Sequence, residues 1–321
     1  MRPLGSYQND NAEIVIGLVN NMAPASVRTT EWQFQSLLDL ASQRRGVRVK
    51  LFLLAGCLPR TAERPGAYLH HESLDILRDN RIDGMIVTGC EPQAAAITDE
   101  PIWPALARLV DWADEHTIST VWSCLAAHAA VYHMDGVSRQ RLPEKLSGVF
   151  ECAKASDHYL VSDAPARWQV PHSRYNSLNE ETLRRKGYQI LSGAPRVGPD
   201  MAVKQSKSLF VHLQGHPEYG PETLLREYRR DIKRFLTGKQ DRCPEMPENY
   251  FDQDTQSALA DLREQASRRR DPELLSAFEA AMTPPPVPTW GDAAVTFYTR
   301  WLSYLAEQKF AWQSHLRVVN S

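Results

Sequence analysis

Ile118-Ser-Thr-Val-Trp-Ser-Cys124-Leu-Ala-Ala-His-Ala-Ala130 is the stretch on which the reading of this chain turns. Its first half is a short apolar run of buried-strand type. Its second half, rich in alanine and leucine, reads as a helix. Cys124 stands at the junction, where a side chain is pushed out of a sharp strand-to-helix turn and held at a helix N-terminus. The macrodipole and the free backbone N–H groups there favour a thiolate. Hydrolases build their nucleophile elbow on the same turn, although here it reads Trp122-Ser-Cys-Leu-Ala126, without flanking glycines.

Further along, Phe210-Val-His-Leu-Gln-Gly-His216-Pro-Glu218-Tyr219 is a second apolar strand, ending on a histidine and a carboxylate. A nucleophile, a base and a group that orients the base are what acyl-transfer chemistry needs. Singly, each is commonplace: free cysteine is among the most buried residue types, and lone histidines and glutamates are ordinary. The ordered set on strand ends is far more specific. His128 competes as base, but an elbow side chain points away from the helix it precedes, which favours His216.

Working outward, strands and helices alternate. Ile14–Val19 is a buried strand, and Asn20–Thr29 a polar loop. Thr30-Glu-Trp-Gln33 resembles a capping box opening a helix to about Ser42, with Phe34, Leu37, Leu38 and Ala41 on its apolar face. Val47–Leu54 is a strand, Ser73–Asn80 a helix, Asp83–Gly89 a strand ending on glycine, and Pro101–Glu115 a helix. The pair His70-His71 with Glu72 reads as a surface turn. This alternation predicts an α/β layer structure with a mostly parallel sheet flanked by helices. Sites in such sheets form at the carboxyl ends of strands, and Asn20, Gly89, Cys124 and His216 all fall just past predicted strand ends.

Beyond Met134 the signal weakens. Gly148–Val170 reads as short strands and loops, followed by strands at Gly187–Ser192, Met201–Lys204 and Ser208–Leu213. Pro221–Phe235 is an amphipathic helix with Leu224, Leu225, Tyr228, Ile232 and Phe235 on its stripe. From Gln240 proline and charge dominate: the arginines of Arg263–Arg270 read as a solvated helix face, Pro284–Pro288 as a stiff linker, and Gly291–Gln308 as an aromatic helix. The expected division is a catalytic domain over residues 1–240 and a helical extension, 241–321, packed on it.

The chain has 321 residues, 42% hydrophobic and 24% charged, with a formal net charge of -2. This allows a sizeable core and offers no basic stripe for a polyanion such as nucleic acid. No apolar run is long enough to span a bilayer, and the first ten residues do not read as a signal peptide. Cys57, Cys90, Cys124, Cys152 and Cys243 are scattered, with no C-x-x-C pair, as expected of reduced thiols in a cytoplasmic protein. His128 and His133 form no metal set, no metal is expected, and no glycine-rich nucleotide motif is present. Pro171-His-Ser-Arg-Tyr175 is unusual: its arginine could clamp a carboxylate or lie on the surface.

Together, Asp83–Gly89, Trp122–Ala130, Glu144-Lys-Leu-Ser-Gly-Val-Phe150, Val170–Tyr175 and Gln214–Tyr219 resemble the homoserine O-acyltransferase family, the branch built on a class I glutamine amidotransferase-like, flavodoxin-like fold. Glutaminases share the cysteine elbow and the His-x-Glu pair, but not Pro-His-Ser-Arg-Tyr. The resemblance implies transfer of a succinyl group from succinyl-CoA to L-homoserine in methionine biosynthesis, without a permanently bound cofactor. Cys124 would carry the acyl group, His216 would be the base and Glu218 its orienter. Ser173, Arg174 and Arg230 would hold the amino acid, and backbone N–H groups near Gly89, Cys90 and Leu125 the oxyanion. The position tied to donor choice falls on Gln93, neither the glycine nor the glutamate associated with that choice. Acetyl-CoA as donor and L-serine as acceptor therefore stay open. The loop after the first strand lacks the family's adjacent lysines, for which Arg28 is a candidate replacement. A homodimer is expected. The rival readings are an amide hydrolase and a non-catalytic binding protein on the same fold.

Overall fold

The computed structural model describes residues 13–43, 45–54, 72–73, 81–285 and 289–319. Its strands are β1 (Ile14–Val19), β2 (Val47–Leu53), β3 (Glu72–Ser73), β4 (Gly84–Val87), β5 (Ser119–Ser123), β6 (Gln140–Lys154), β7 (Arg167–Ser177), β8 (Gln189–Ala194), β9 (Gly198–Gln205) and β10 (Leu209–Leu213). They form one sheet in the order β3-β2-β1-β4-β5-β10-β9-β8-β6-β7. From β3 to β10 every neighbouring pair is parallel. Beyond β10, every pair is antiparallel. The fold is thus α/β with a mixed sheet, parallel through the half that carries the elbow.

The helices are α1 (Pro24–Ser42), α2 (Trp103–His116), α3 (Leu125–Asp135), α4 (Glu180–Arg185), α5 (Thr223–Leu236), α6 (Gln253–Arg268), α7 (Leu274–Ala281) and α8 (Gly291–Val319). The period-two alternation of β1 divides the core. Ile14, Ile16 and Leu18 meet Phe34 and Leu38 of α1 and Tyr298, Trp301 and Leu305 of α8 on one face. Val15 and Val19 meet Leu106 and Leu109 of α2 and Leu125 and Ala129 of α3 on the other. The buried Lys309–Asp83 pair, at 2.6 Å, and a 2.9 Å bond from Trp301 Nε1 to Ser119 Oγ fix α8 against the sheet. A third cluster joins α5, α6 and α7 around Tyr228, Phe251 and Phe278.

Several expectations need correction. Helix α1 begins at Pro24, with no side-chain cap at Ala23, so Thr30 and Gln33 lie within it and form no capping box. Proline suits the first turn, where its missing N–H has no helical acceptor to lose. Glu72 and Ser73 belong to β3, not to a turn and a helix; His70, His71 and residues 74–80 of those expectations lie outside the described residues, as does Cys57. The stretch expected as short strands and loops contains β6, fifteen residues long, paired with β7 across a register shift between Arg141 and Leu146. The final helix runs on to Val319.

Candidate active site

Cys124 links β5 to α3 with φ 51° and ψ -113°, a strained backbone for a residue with a Cβ. A 2.7 Å bond from its N–H to Leu213 O ties the elbow to β10, which pairs in parallel with β5. That pairing explains how residues far apart in sequence meet: both strands end on the same rim, so His216 follows β10 as Cys124 follows β5. The His216 N–H donates to Pro171 O at 2.8 Å. Gly215 is required just before it, because a Cβ there would lie 2.4 Å from Val170 Cγ1 and 2.6 Å from Asp200 Oδ1.

His216 Nδ1 and Glu218 Oε1 are 2.9 Å apart, and both residues are buried. Tyr219 stacks on the imidazole, with centroids 4.3 Å apart. Burial alone would lower the His216 pKa. The Glu218 charge and hydrogen bonding to Cys124 and Glu218 outweigh it, and the pKa ends well above the ordinary histidine value. Cys124, His216 and Glu218 thus lie together in one cleft. His128 also lines the cleft, but Nε2 faces Gln214 Oε1 at 3.1 Å, and burial drives its pKa down to about 3.

The cleft, with the solvent-open space at its mouth, spans about 800 Å³. Gly89, Cys90 and Leu125 line it beside Cys124. Leu125 N lies 2.9 Å from where a Cβ on Gly89 would be, so only glycine leaves that N–H open to the cleft. As the first residue of α3, Leu125 has no acceptor for it within the helix. Asn21 bonds to Thr88 through its N–H at 2.8 Å and its side-chain amide at 2.7 Å, fixing the loop before Gly89.

The expected substrate residues separate into two groups. Ser173 and Arg230 line one end of the cleft, with Lys145, Tyr219 and Glu227. There the Ser173 hydroxyl and Tyr219 OH both donate to Glu227, the latter at 2.7 Å, while Lys145 reaches Glu227 at 3.2 Å and Asp231 at 2.9 Å. Burial would raise the Glu227 pKa, but Lys145, Ser173, Tyr219 and Arg230 bring it down to about 2. Arg174 also lines the cleft, but its guanidinium is held by the protein itself. Its guanidinium donates to Asn176 O at 2.6 Å, to Val197 O and to His172 Nδ1 at 3.4 Å, so it does not form the open carboxylate clamp expected of it. Gln93 is exposed and does not line the cleft; its N–H bonds to Glu100 at 2.9 Å. Arg28 is exposed on α1, away from the cleft, and does not stand in for the missing lysines.

The profile of the homoserine O-succinyltransferase family matches residues 1–312. The chain belongs to that family. A homoserine O-succinyltransferase of Rhodopseudomonas palustris is 47% identical over 82% of this chain and 79% of its own. One of Bradyrhizobium japonicum is 43% identical over 93% and 92%. Among solved structures, a glutamine amidotransferase of Methylobacillus flagellatus superposes with a TM-score of 0.51 at 14% identity, over 92% of this chain and 95% of that one, a likeness of fold.

For a member of the homoserine O-succinyltransferase family, sequence reading overlooked Lys145, Glu227 and Asp231. Their signal was present. Glu227 and Asp231 flank the apolar stripe of α5 at Tyr228 and Ile232, and Asp231 is buried. Acids so placed need a cation, and Lys145 provides it. Among the described residues, no helix is long and apolar enough to cross a membrane.

Proposed function

We propose that this protein moves the succinyl group of succinyl-CoA to the hydroxyl of L-homoserine through a thioester on Cys124. The observation that carries this reading is the strained elbow cysteine sharing a cleft with the buried His216–Glu218 pair. The Cys124 thiolate attacks the donor carbonyl, the oxyanion collects on the N–H groups at Gly89, Cys90 and Leu125, and CoA leaves as a thiol with a proton from His216. His216 then takes the proton of the homoserine hydroxyl as its oxygen attacks the acyl-enzyme, releasing Cys124. Glu218 holds the imidazole tautomer and stabilises its cation. Thiol-to-thiol exchange in the first step is nearly balanced; formation of the oxygen ester drives the second.

The amino acid is a zwitterion, and the end of the cleft formed by Glu227, Ser173 and Arg230 offers an anion for its ammonium group and a cation for its carboxylate. Arg174 is better suited to another role. Its buried charge, whose pKa burial lowers to about 10, interacts with Cys124. For the donor, Arg139 is the supporting feature. It lines the cleft, is held by Glu100 at 2.6 Å, and keeps its buried Nη1 without a partner. A succinyl carboxylate could satisfy that nitrogen, whereas an acetyl group could not. The names of the relatives support the same choice.

The test is intact-protein mass spectrometry after mixing with succinyl-CoA without acceptor. One succinyl increment on Cys124, discharged by homoserine as O-succinylhomoserine, is expected. No increment, or one on another residue, refutes the mechanism. A kcat/KM favouring acetyl-CoA or L-serine refutes the substrate assignment alone.

A further inference from the structure

The catalytic cleft continues outward along a furrow whose walls are basic and aromatic. Arg230 borders both the cleft and a hollow formed with Arg226, Arg229, Lys233 and Glu279. Arg226 in turn borders a second hollow of about 820 Å³, where Arg28 and Trp32 of α1 face Gly220–Thr223 at the start of α5. A 2.7 Å bond from Gln33 Nε2 to Thr223 Oγ1 holds the two walls together. Arg230 and Arg226 thus stand between the cleft, the first hollow and the hollow beside Trp32.

The chemistry of this furrow is directional. Arg226, Arg229, Arg230 and Lys233 recur at helical spacing on the outer face of α5, while Glu227 and Asp231 of that helix bond to Lys145, Asp231 also accepting from Arg230 Nε at 2.8 Å. The furrow holds two acids, Glu222, 2.6 Å from Arg226, and Glu279, 3.8 Å from Arg229. All four of those side chains are about half exposed, and such pairs are weak and exchangeable. The chain as a whole carries a net charge of -2, so this local excess of cations runs against its average. At the far end Trp32 is 65% exposed.

We propose that the furrow binds the nucleotide of the acyl-CoA donor, with its phosphates on Arg226, Arg229 and Lys233 and its adenine stacked on Trp32. This rests on the acyl-CoA reading of the cleft. Guanidinium groups match phosphate in bidentate geometry, and an exposed indole is a stacking platform for any purine. The pantetheine arm would then enter past Arg230, while the zwitterionic end of the cleft holds the acceptor.

The test compares succinyl-CoA with succinyl-N-acetylcysteamine, which presents the same thioester and stops short of the phosphates. Arg226→Glu combined with Arg229→Glu should raise the KM for succinyl-CoA roughly ten- to a hundred-fold, the order of one or two lost charge-assisted contacts. Trp32→Ala should raise it about ten-fold. Both should collapse the ratio of kcat/KM between the two donors, and higher ionic strength should erode the same ratio in the unaltered protein. Adenosine 3′,5′-bisphosphate should compete with succinyl-CoA and lose potency against the charge-reversed protein. Equal losses with both donors, or an unchanged KM for succinyl-CoA, would overturn the proposal. If the unaltered protein transfers from neither donor, the acyl-transfer reading falls. Calorimetric titration of the bisphosphate into the two proteins then still decides the furrow: binding that the charge reversal abolishes supports it, and equal or absent binding refutes it.

Discussion

Among the described residues, two sets of cysteine, histidine and carboxylate stand close together in contrasting surroundings. Cys124, His216 and Glu218 open onto the cleft. Cys152, His172 and Asp200 lie beneath it, fully sealed, with their reactive atoms within 4.8 Å of one another. The chemical inventory is the same, and the surroundings reverse its properties. Burial opposes a charged imidazole in both. At His216, Glu218 and Cys124 overcome it; at His172 it prevails, helped by the positive charges of Arg174 and His216, and the pKa falls. Burial, with the Asp200 charge, drives the Cys152 thiol far above the usual range. Arg174 bonds to His172 Nδ1 and Ser192 donates to Asp200 at 2.7 Å, so the sealed set serves as a polar brace under the site.

The widest gap between the sets should be at the cysteines. Cys124→Ser should cost on the order of 10⁴-fold or more in kcat, as in other sites whose nucleophile is removed, whereas Cys152→Ala should keep turnover within an order of magnitude. Iodoacetamide labelling with peptide mapping checks accessibility: Cys124 should label and Cys152 should not. Similar losses in the two variants would erase the distinction.

The histidines come next. His216→Ala should lower kcat by roughly 10²–10⁴-fold, the usual worth of a positioned general base; His172→Asn should chiefly lower the melting temperature. Their pH signatures are opposite in sign. The raised pKa of His216 contributes stability that is complete below the unfolded histidine pKa and lost as pH rises through the folded value. The lowered pKa of His172 acts the other way, its contribution being complete above the unfolded value and lost as pH falls below it. Melting temperature against pH should therefore lose part of its alkaline decline in Glu218→Gln and part of its acid decline in His172→Asn.

Gly215 lies between the two sets, and Gly215→Ala drives a Cβ into Val170 and Asp200. A stability loss of about 1–3 kcal/mol by denaturant unfolding is expected, the usual cost of overpacking. A fall in kcat should accompany it, since His216 shifts with its neighbour. The smallest effect belongs to Gln93. Its side chain is exposed and outside the cleft, so Gln93→Ala should change the succinyl-to-acetyl preference by less than about twofold, in keeping with surface substitutions. A larger change would bring this loop back into donor selection.

Cys124, His216 and Glu218 were legible because each follows a short apolar strand, although β10 lies beside β5 only after β6 to β9 have intervened in the chain. Apolar runs ending on Cys124 and His216 mark strands, and local patterning carries that information. The bonds that tie Arg174 to Asn176 and Val197 were not legible, because the parity of a strand cannot be assigned until its register is known. The long β6–β7 pair was missed because Gln140–Glu144 is polar and the register shift interrupts the alternation. Lys145 was quoted within a motif without a role, since its value depends on two acids from a helix far along the chain.

Helix α8 closes the face of the sheet formed by the first strand: Lys309 donates to Glu13 O at 2.7 Å, and Trp301 and Leu305 share a cluster with Ile14 and Ile16. The ribosome makes the covered surface long before its cover. During synthesis, β1, β4 and β5 must wait with an apolar face open to other nascent chains, and no order of emergence can dry it until residues near 300 leave the exit tunnel. A chain terminated before α8 would be a ready substrate for chaperones and proteases, even though it would carry every residue of the reaction centre.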